Sequence, residues 1–148
     1  MGDSRMLVSH ILKDKGSDVL AIPAYATLHE AAQILSANRI GALVVLTRDG
    51  GFDGIISERD IVRALAEHGE VALGLAVAAS MVKDIAVCEE TDTIEEIMDT
   101  MTCCRFRHLP VVKNGVVVGI VSIGDVVKTR IAEAIRESQA LKQYIAAG

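Results

Sequence analysis

Tryptophan is absent, and only two tyrosines, two phenylalanines and two prolines occur among 148 residues. So few rings leave no stacking platform for single-stranded bases. Positive charge is also scarce: 15 Lys and Arg stand against 20 Asp and Glu, for a formal net charge of −5 and a pI near 5.3. A broad nucleic-acid surface needs a dense field of cations, so nucleic acid is not an expected partner. Long apolar runs are missing too, although 51% of residues are hydrophobic and the mean hydropathy is +0.37. The longest low-polarity stretch, residues 71–82, is broken by Ser80 and falls well short of the ~20 residues of a spanning helix. With no export leader read at the N-terminus, the expectation is a soluble cytoplasmic protein without a membrane partner. The three cysteines, Cys88, Cys103 and Cys104, form no C-x-x-C pair. An adjacent pair lacks the freedom for ordinary disulfide geometry, so reduced thiols and no metal are expected.

What is present is a repeat. Thr27-Leu28-His29-Glu30-Ala31 aligns with Thr93-Ile94-Glu95-Glu96-Ile97 at an offset of 66, which also brings Arg39 onto Arg105, Leu43 onto Leu109 and Val45 onto Val111. At an offset of 65, Gly54-Ile55-Ile56-Ser57-Glu58-Arg59-Asp60 matches Gly119-Ile120-Val121-Ser122-Ile123-Gly124-Asp125. Upstream, Ile11-Leu12-Lys13-Asp14 is echoed by Met81-Val82-Lys83-Asp84.

Each copy reads as strand, helix, strand, strand, helix. Residues 19–22 form a short apolar run stopped by Pro23, and Thr27 caps a helix with apolar residues at helical spacing. Residues 42–47 make a valine-rich strand, 54–57 the next, and 58–68 a helix closed by Gly69. In the second copy Asn114-Gly115 suits a type I′ hairpin turn between valine runs. The last helix is expected from about Gly124 toward Gln143, and residues 71–79 as a short apolar helix joining the halves. Strands such as Leu43-Val44-Val45-Leu46 are apolar on both faces, so each sheet needs cover on both sides. The expected fold class is α/β, a tandem β-α-β-β-α repeat packed with approximate two-fold symmetry and a cleft between the copies. The expected division is 8–66 for the first repeat, 67–79 for the linker helix, 80–130 for the second repeat and 131–148 for a helical extension.

Chemistry concentrates in the duplicated Gly-h-h-Ser-x-x-Asp. Ser-x-x-Asp at a helix start is the spacing of a capping box. The same helix N-terminus can bind phosphate, with a carboxylate one turn on to accept from a ribose diol. Matched placement in both copies favours the second use. Arg39-Ile40-Gly41-Ala42 and Arg105-Phe106-Arg107-His108 occupy equivalent loops, and Arg59 lies inside the first motif. Guanidinium forks suit phosphate oxygens, although the arginines could equally pair with Glu95, Glu96 or Asp99.

These motifs together resemble a CBS-domain pair (the Bateman module), similar to free-standing bacterial examples, across about residues 8 to 128. The resemblance implies an adenine nucleotide in the cleft between repeats, AMP first, with ATP, ADP or NAD as alternatives. Asp60 and Asp125 would hold ribose hydroxyls, Ser57 and Ser122 would lie near ribose or phosphate, and Arg107 and His108 would face phosphate. Arg39, Arg59 and Arg105 are further phosphate candidates. Backbone at Val19, Leu20, Ile85 and Ala86 would lie against adenine. The first repeat departs from the phosphate-facing pattern at Gly41 and Ala42. A regulatory module without catalysis follows, acting on an unknown regulated protein and forming a homodimer. The alternatives are a ligand-independent assembly module, using Val126, Val127, Ile131, Ile135 and Leu141 of the last helix, or a nucleotide-acting enzyme, for which no nucleophile–base pair or Walker loop is seen.

Overall fold

In the computed structural model, residues 5–16 and 19–147 are described. The chain forms α1 (Val8–Lys15), β1 (Ala21–Pro23), α2 (Leu28–Asn38), β2 (Ala42–Leu46), β3 (Phe52–Ser57) and α3 (Glu58–His68). Then follow two 3₁₀ turns (Gly69–Gly74 and Val77–Ala79), α4 (Ile94–Cys104), β4 (His108–Lys113), β5 (Val116–Ser122) and α5 (Ile123–Ala147). The fold is mixed α/β.

The chain divides into two units, Asp18–Ile85 and a second made of Met1–Ser17 with Ala86–Gly148. In the first, β1 pairs parallel with β2 and β2 antiparallel with β3. The centre of β2 is buried on both faces, with Leu43, Val44 and Val45 all at most 1% exposed. Pro23 lies within β1 rather than after it. It is tolerated because β1 is an edge strand, where a missing N–H breaks no ladder. Thr27 Oγ1 accepts the Glu30 amide at 3.1 Å to start α2, and Arg39 closes that helix with φ of 53°.

The second unit repeats this plan. Thr93 Oγ1 accepts the Glu96 amide at 3.2 Å, and Arg105 closes α4 with φ of 59°. Asn114 and Gly115 both take positive φ at the β4–β5 turn, as an I′ hairpin requires. Both hairpins carry a register shift at the same repeat position, after Val45 and after Val111. The cores correspond as well: Leu28, Leu35, Leu43, Val45 and Ile61 in one unit stand where Ile94, Met101, Leu109, Val111 and Val126 stand in the other. Burying each such side chain stabilises by about 1.5–3 kcal/mol.

Two elements differ from the sequence expectation. Residues 71–79 form no α-helix. Leu75 O accepts the Leu28 amide and the Val77 amide donates to Ala26 O, so bonds to the α2 entry replace helical ones. The second copy has no first strand at 85–86: its sheet is two-stranded, joined only by a single bridge from Cys88 to Val111. A turn at Glu89–Asp92, closed by the Glu89 amide on Asp92 Oδ2 at 2.8 Å, stops that pairing from extending. The compact units also cross in the chain, each taking in the segment that precedes the other repeat. Helix α1 belongs with the second repeat, while residues 80–85 belong with the first.

Two matched glycines explain that crossing. Val82 exchanges backbone bonds with Ile55 at 2.9 and 3.0 Å, and a Cβ on Gly54 would collide with the Val82 carbonyl. Leu12 packs over Gly119, where a Cβ would come within 2.6 Å of Leu12 Cδ2. Leu12 and Val82 are equivalent in the upstream echo. Each therefore docks on the bare strand position of the copy to which it is not adjacent in the chain.

Candidate functional site

Each helix that follows a β-hairpin starts abruptly at a serine, and its first orphan N–H groups need partners. The Glu58 amide donates to Gly41 O at 3.0 Å, and the Ile123 amide to Arg107 O at 2.8 Å. These equivalent bonds fix the loop before the second strand against the helix start. Arg107 and His108 are thereby held near Ser122, with His108 opposite Ser122 in the β4–β5 register. Because β1 runs parallel to β2, Val19 and Leu20 lie at the sheet end where β2 begins and β3 finishes at Ser57. Leu20 O accepts the Val44 amide at 3.1 Å. Ile85 and Ala86 lie outside any strand, shortly before Cys88.

Both Ser-x-x-Asp motifs form reciprocal caps, but their carboxylates differ. Asp60 is 5% exposed, and its Oδ2 accepts both the Ser57 amide and the Ser57 hydroxyl at 2.9 Å. Its Oδ1 accepts from Arg63 Nη1 at 3.3 Å, so both oxygens are engaged. Asp125 is more open, its side chain 23% exposed. Its Oδ2 accepts the Ser122 amide at 2.9 Å and Lys15 Nζ at 2.7 Å, while the Asp125 amide donates to Ser122 Oγ at 3.1 Å. Among the described residues Oδ1 accepts no hydrogen bond. Burial pushes the Asp125 carboxyl up, but the Lys15 ammonium and the Ser122 N–H outweigh it and hold the group below its ordinary value.

Lys15 is a site residue that the sequence reading missed. It follows the echo by one position, where the second copy has Ile85, and it also donates to Ile120 O at 2.9 Å. Lys15 and Asp125 line a cavity of about 160 Å³ with Met6, Asp14, Lys128, Thr129 and Arg136. Three cations against two carboxylates make that cavity net positive, which favours an anion. The cationic character was not visible locally, since Lys15 is 110 residues from Asp125.

The other basic residues are placed less closely. Arg39 lines a separate groove of about 510 Å³ with Gly41, Glu58, Ile61 and Val62, whose lining includes neither Ser57 nor Asp60. Arg59, Arg105 and Arg107 are exposed. Cys88 is buried, and burial followed by the charge of Asp92 pushes its thiol up to about 12. Among the described residues, no three His, Cys, Asp or Glu side chains converge as a metal site would require. No helix there is long and apolar enough to cross a membrane.

Both copies of the repeat match one family. Its description, CBS domain, matches residues 8–67 and 76–132. The chain belongs to the CBS-domain family. As a CBS-domain pair it is 42% identical to the CBS-domain containing protein ATU1752 from Agrobacterium tumefaciens. That structure superposes with a TM-score of 0.82 over 88% of this chain and 98% of that one. The CBS domain protein PAE2072 from Pyrobaculum aerophilum, complexed with AMP, is 32% identical with a TM-score of 0.71, over 81% and 89%. The CBS domain pair of protein MJ0100, in complex with 5-methylthioadenosine and S-adenosyl-L-methionine, is 25% identical with a TM-score of 0.77, over 87% and 98%. Among curated relatives, CBSX3 of Arabidopsis thaliana, described as mitochondrial, is 33% identical over 95% of this chain and 72% of its own length. Of the longer plant relative CBSCBSPB1 the chain spans only 24%.

Proposed function

We propose that this CBS pair is a non-catalytic regulatory module that binds an adenosine-containing ligand, with AMP as the first choice and ADP, ATP and NAD as alternatives. The observation that carries the reading is Asp125. Its ionised carboxylate is oriented at a helix start, Oδ2 is committed to the cap and to Lys15, Oδ1 accepts no hydrogen bond among the described residues, and the residue lines a net positive cavity. A carboxylate oxygen so placed accepts from a ribose hydroxyl, and Lys15, Lys128 and Arg136 supply charge for a phosphate. The complexes of two relatives with AMP and with adenosine-based sulfur compounds support the choice of adenosine. At about 160 Å³ the cavity suits a ribose or phosphate rather than a whole nucleotide, since pockets for drug-sized ligands span about 300–1,000 Å³.

Asp60 is the weaker half. To receive a diol it would have to release Arg63, so one strong and one weak site are expected. Binding at the first would regulate a partner by shifting a pre-existing conformational equilibrium, which requires unequal affinity for the two states.

Isothermal titration of ligand-free protein with AMP, ADP, ATP, NAD and S-adenosyl-L-methionine tests this. The expected result is one dominant site for at least one of them, with Asp125→Asn weakening it about tenfold, a loss of about 1.4 kcal/mol. No heat for any compound at millimolar concentration would sink the reading.

A further inference from the structure

Helices α2 and α4 hold the same place in the two copies, but they end in different chemistry. At the offset that aligns Arg39 with Arg105, Cys103 stands where the first copy has Ala37, and Cys104 where it has Asn38. Asn38 finishes α2 by donating from Nδ2 to Ile34 O at 2.8 Å. The Arg39 amide then closes that helix on Leu35 O and Ser36 O, and the Ile40 amide on Leu35 O. The corresponding Arg105 and Phe106 amides donate to no carbonyl among the described residues, although Arg105 takes a similar left-handed φ. The end of α4 is therefore held by fewer bonds, and it presents two thiols in place of a capping amide.

Both of these thiols are exposed, whereas Cys88 is buried. The Cys104 thiol lies within hydrogen-bond reach of the Cys103 sulfur. That hydrogen bond, followed by lost hydration and the charge of Cys103, pushes the Cys104 thiol up. The two sulfurs thus already face one another. A disulfide between them is disfavoured, because adjacent Cα atoms are about 3.8 Å apart across a trans peptide and disulfides span roughly 4.4–6.8 Å. One atom inserted between the sulfurs relieves that strain. Bonded to each at about 2.3 Å, the length of a zinc–thiolate bond, it leaves them about 3.5 Å apart. Zinc itself needs further donors, and among the described residues no three His, Cys, Asp or Glu converge. Two soft sulfurs without a third donor select a thiophilic centre that two sulfurs satisfy.

We propose that Cys103 and Cys104 form a two-thiol capture site for a mono-substituted trivalent arsenical. Both S–H bonds and the arsenic–oxygen double bond break, and two arsenic–sulfur bonds form. Both protons leave with the oxygen as one water. Arsenic stays trivalent and keeps its organic group, so no oxidant or reductant is consumed. Closing the ring displaces no bond from Arg105 or Phe106, because their amides make none to the helix. The site does not rest on nucleotide binding, and the first copy, with Ala37 and Asn38, has no counterpart to it.

Titration of the reduced full chain with phenylarsine oxide, followed by intact-mass spectrometry and thiol counting, is the test. One adduct per chain is expected, with both exposed thiols lost and Cys88 unreacted until the protein is unfolded. A dithiol should release the arsenical and a monothiol should not. Cys103→Ser and Cys104→Ser should each weaken capture about a hundredfold or more, since the second sulfur acts at an effective concentration worth about 10²–10⁴ in affinity. No adduct on the wild type, a single-serine variant with undiminished affinity, an adduct that consumes Cys88, or two thiols lost without added arsenic mass would each overturn the proposal.

Discussion

Replacing each of the two matched glycines by alanine makes the most discriminating test of the fold. Neither Gly54 nor Gly119 has a left-handed φ, so alanine fits both backbones and gains about 0.5–1 kcal/mol over glycine in a strand. What differs is the neighbour. At Gly119 the new methyl meets the tip of Leu12, with Cδ2 at 2.6 Å and Cδ1 at 3.2 Å, and a rotamer change clears it. Overpacking of that kind costs about 1–3 kcal/mol before the propensity gain, so the net loss is about 1 kcal/mol. At Gly54 the methyl meets the Val82 carbonyl, whose backbone cannot rotate away. Moving it breaks both bonds between Ile55 and Val82, each about 1 kcal/mol, and adds strain, for a net loss of about 3 kcal/mol. At about 4 °C per kcal/mol for a chain of this size, the melting temperature should fall about 8 °C further for Gly54→Ala than for Gly119→Ala. Differential scanning calorimetry gives the shifts, and hydrogen exchange at the Ile55 and Val82 amides gives their location. Equal shifts, a reversed order, or unchanged exchange at those amides would refute the docking of residue 82 on the bare strand.

Other outcomes follow from the site. Lys15→Met should destabilise the protein at neutral pH by about 0.5–1 kcal/mol, a value kept small because Lys15 is partly exposed and screened. The folded Asp125 carboxyl is depressed, so its contribution is complete above the unfolded pKa and disappears as pH falls through the folded one. Urea unfolding at successive acidic pH values should therefore show wild type and Lys15→Met converging. Ser57→Ala should cost about 1 kcal/mol through loss of the α3 cap, read as a lower urea midpoint. Native protein should react promptly with a thiol reagent at Cys103 and Cys104 only, because Cys88 is buried and its thiol is raised to about 12. Its labelling should appear on unfolding.

Local signals in the sequence carried most of the architecture. Thr27 and Thr93 cap helices through bonds three residues long, and Asn114-Gly115 dictates its turn by positive φ, so neither needs knowledge of the rest of the chain. The bounds of α3 are legible for the same reason, with a serine box at one end and Gly69 at the other. Residues 71–79 defeat such a reading because they are held by backbone bonds to Ala24, Ala26 and Leu28, about fifty residues away. The site divides along the same line. The Ser-x-x-Asp pairs were visible, but Lys15 on Asp125 is a contact across 110 residues. The upstream echo hinted at it, since repeated segments outside the repeat proper need a docking place, yet nothing in the echo says which copy receives which segment.

That exchange of segments is also what makes the two aspartates unequal. Position 15 and position 85 are equivalent in the echo, and each lies in the unit whose Ser-x-x-Asp it could serve. Lysine at 15 gives Asp125 a long, flexible cation from another element, which leaves the carboxylate partly open. Isoleucine at 85 offers no charge, and Asp60 instead takes Arg63 from its own helix and closes over it, 5% exposed. Two differences between the copies, Lys15 against Ile85 and Arg63 against Lys128, thus go with a carboxylate that has both oxygens engaged in one unit and one bonded through Oδ2 in the other. Ile85→Lys together with Arg63→Ala should move Asp60 toward the Asp125 arrangement. In the titration with AMP, a second site appearing in that variant is the outcome this asymmetry requires. Unchanged stoichiometry would mean that burial of Asp60, rather than its cation, sets the difference.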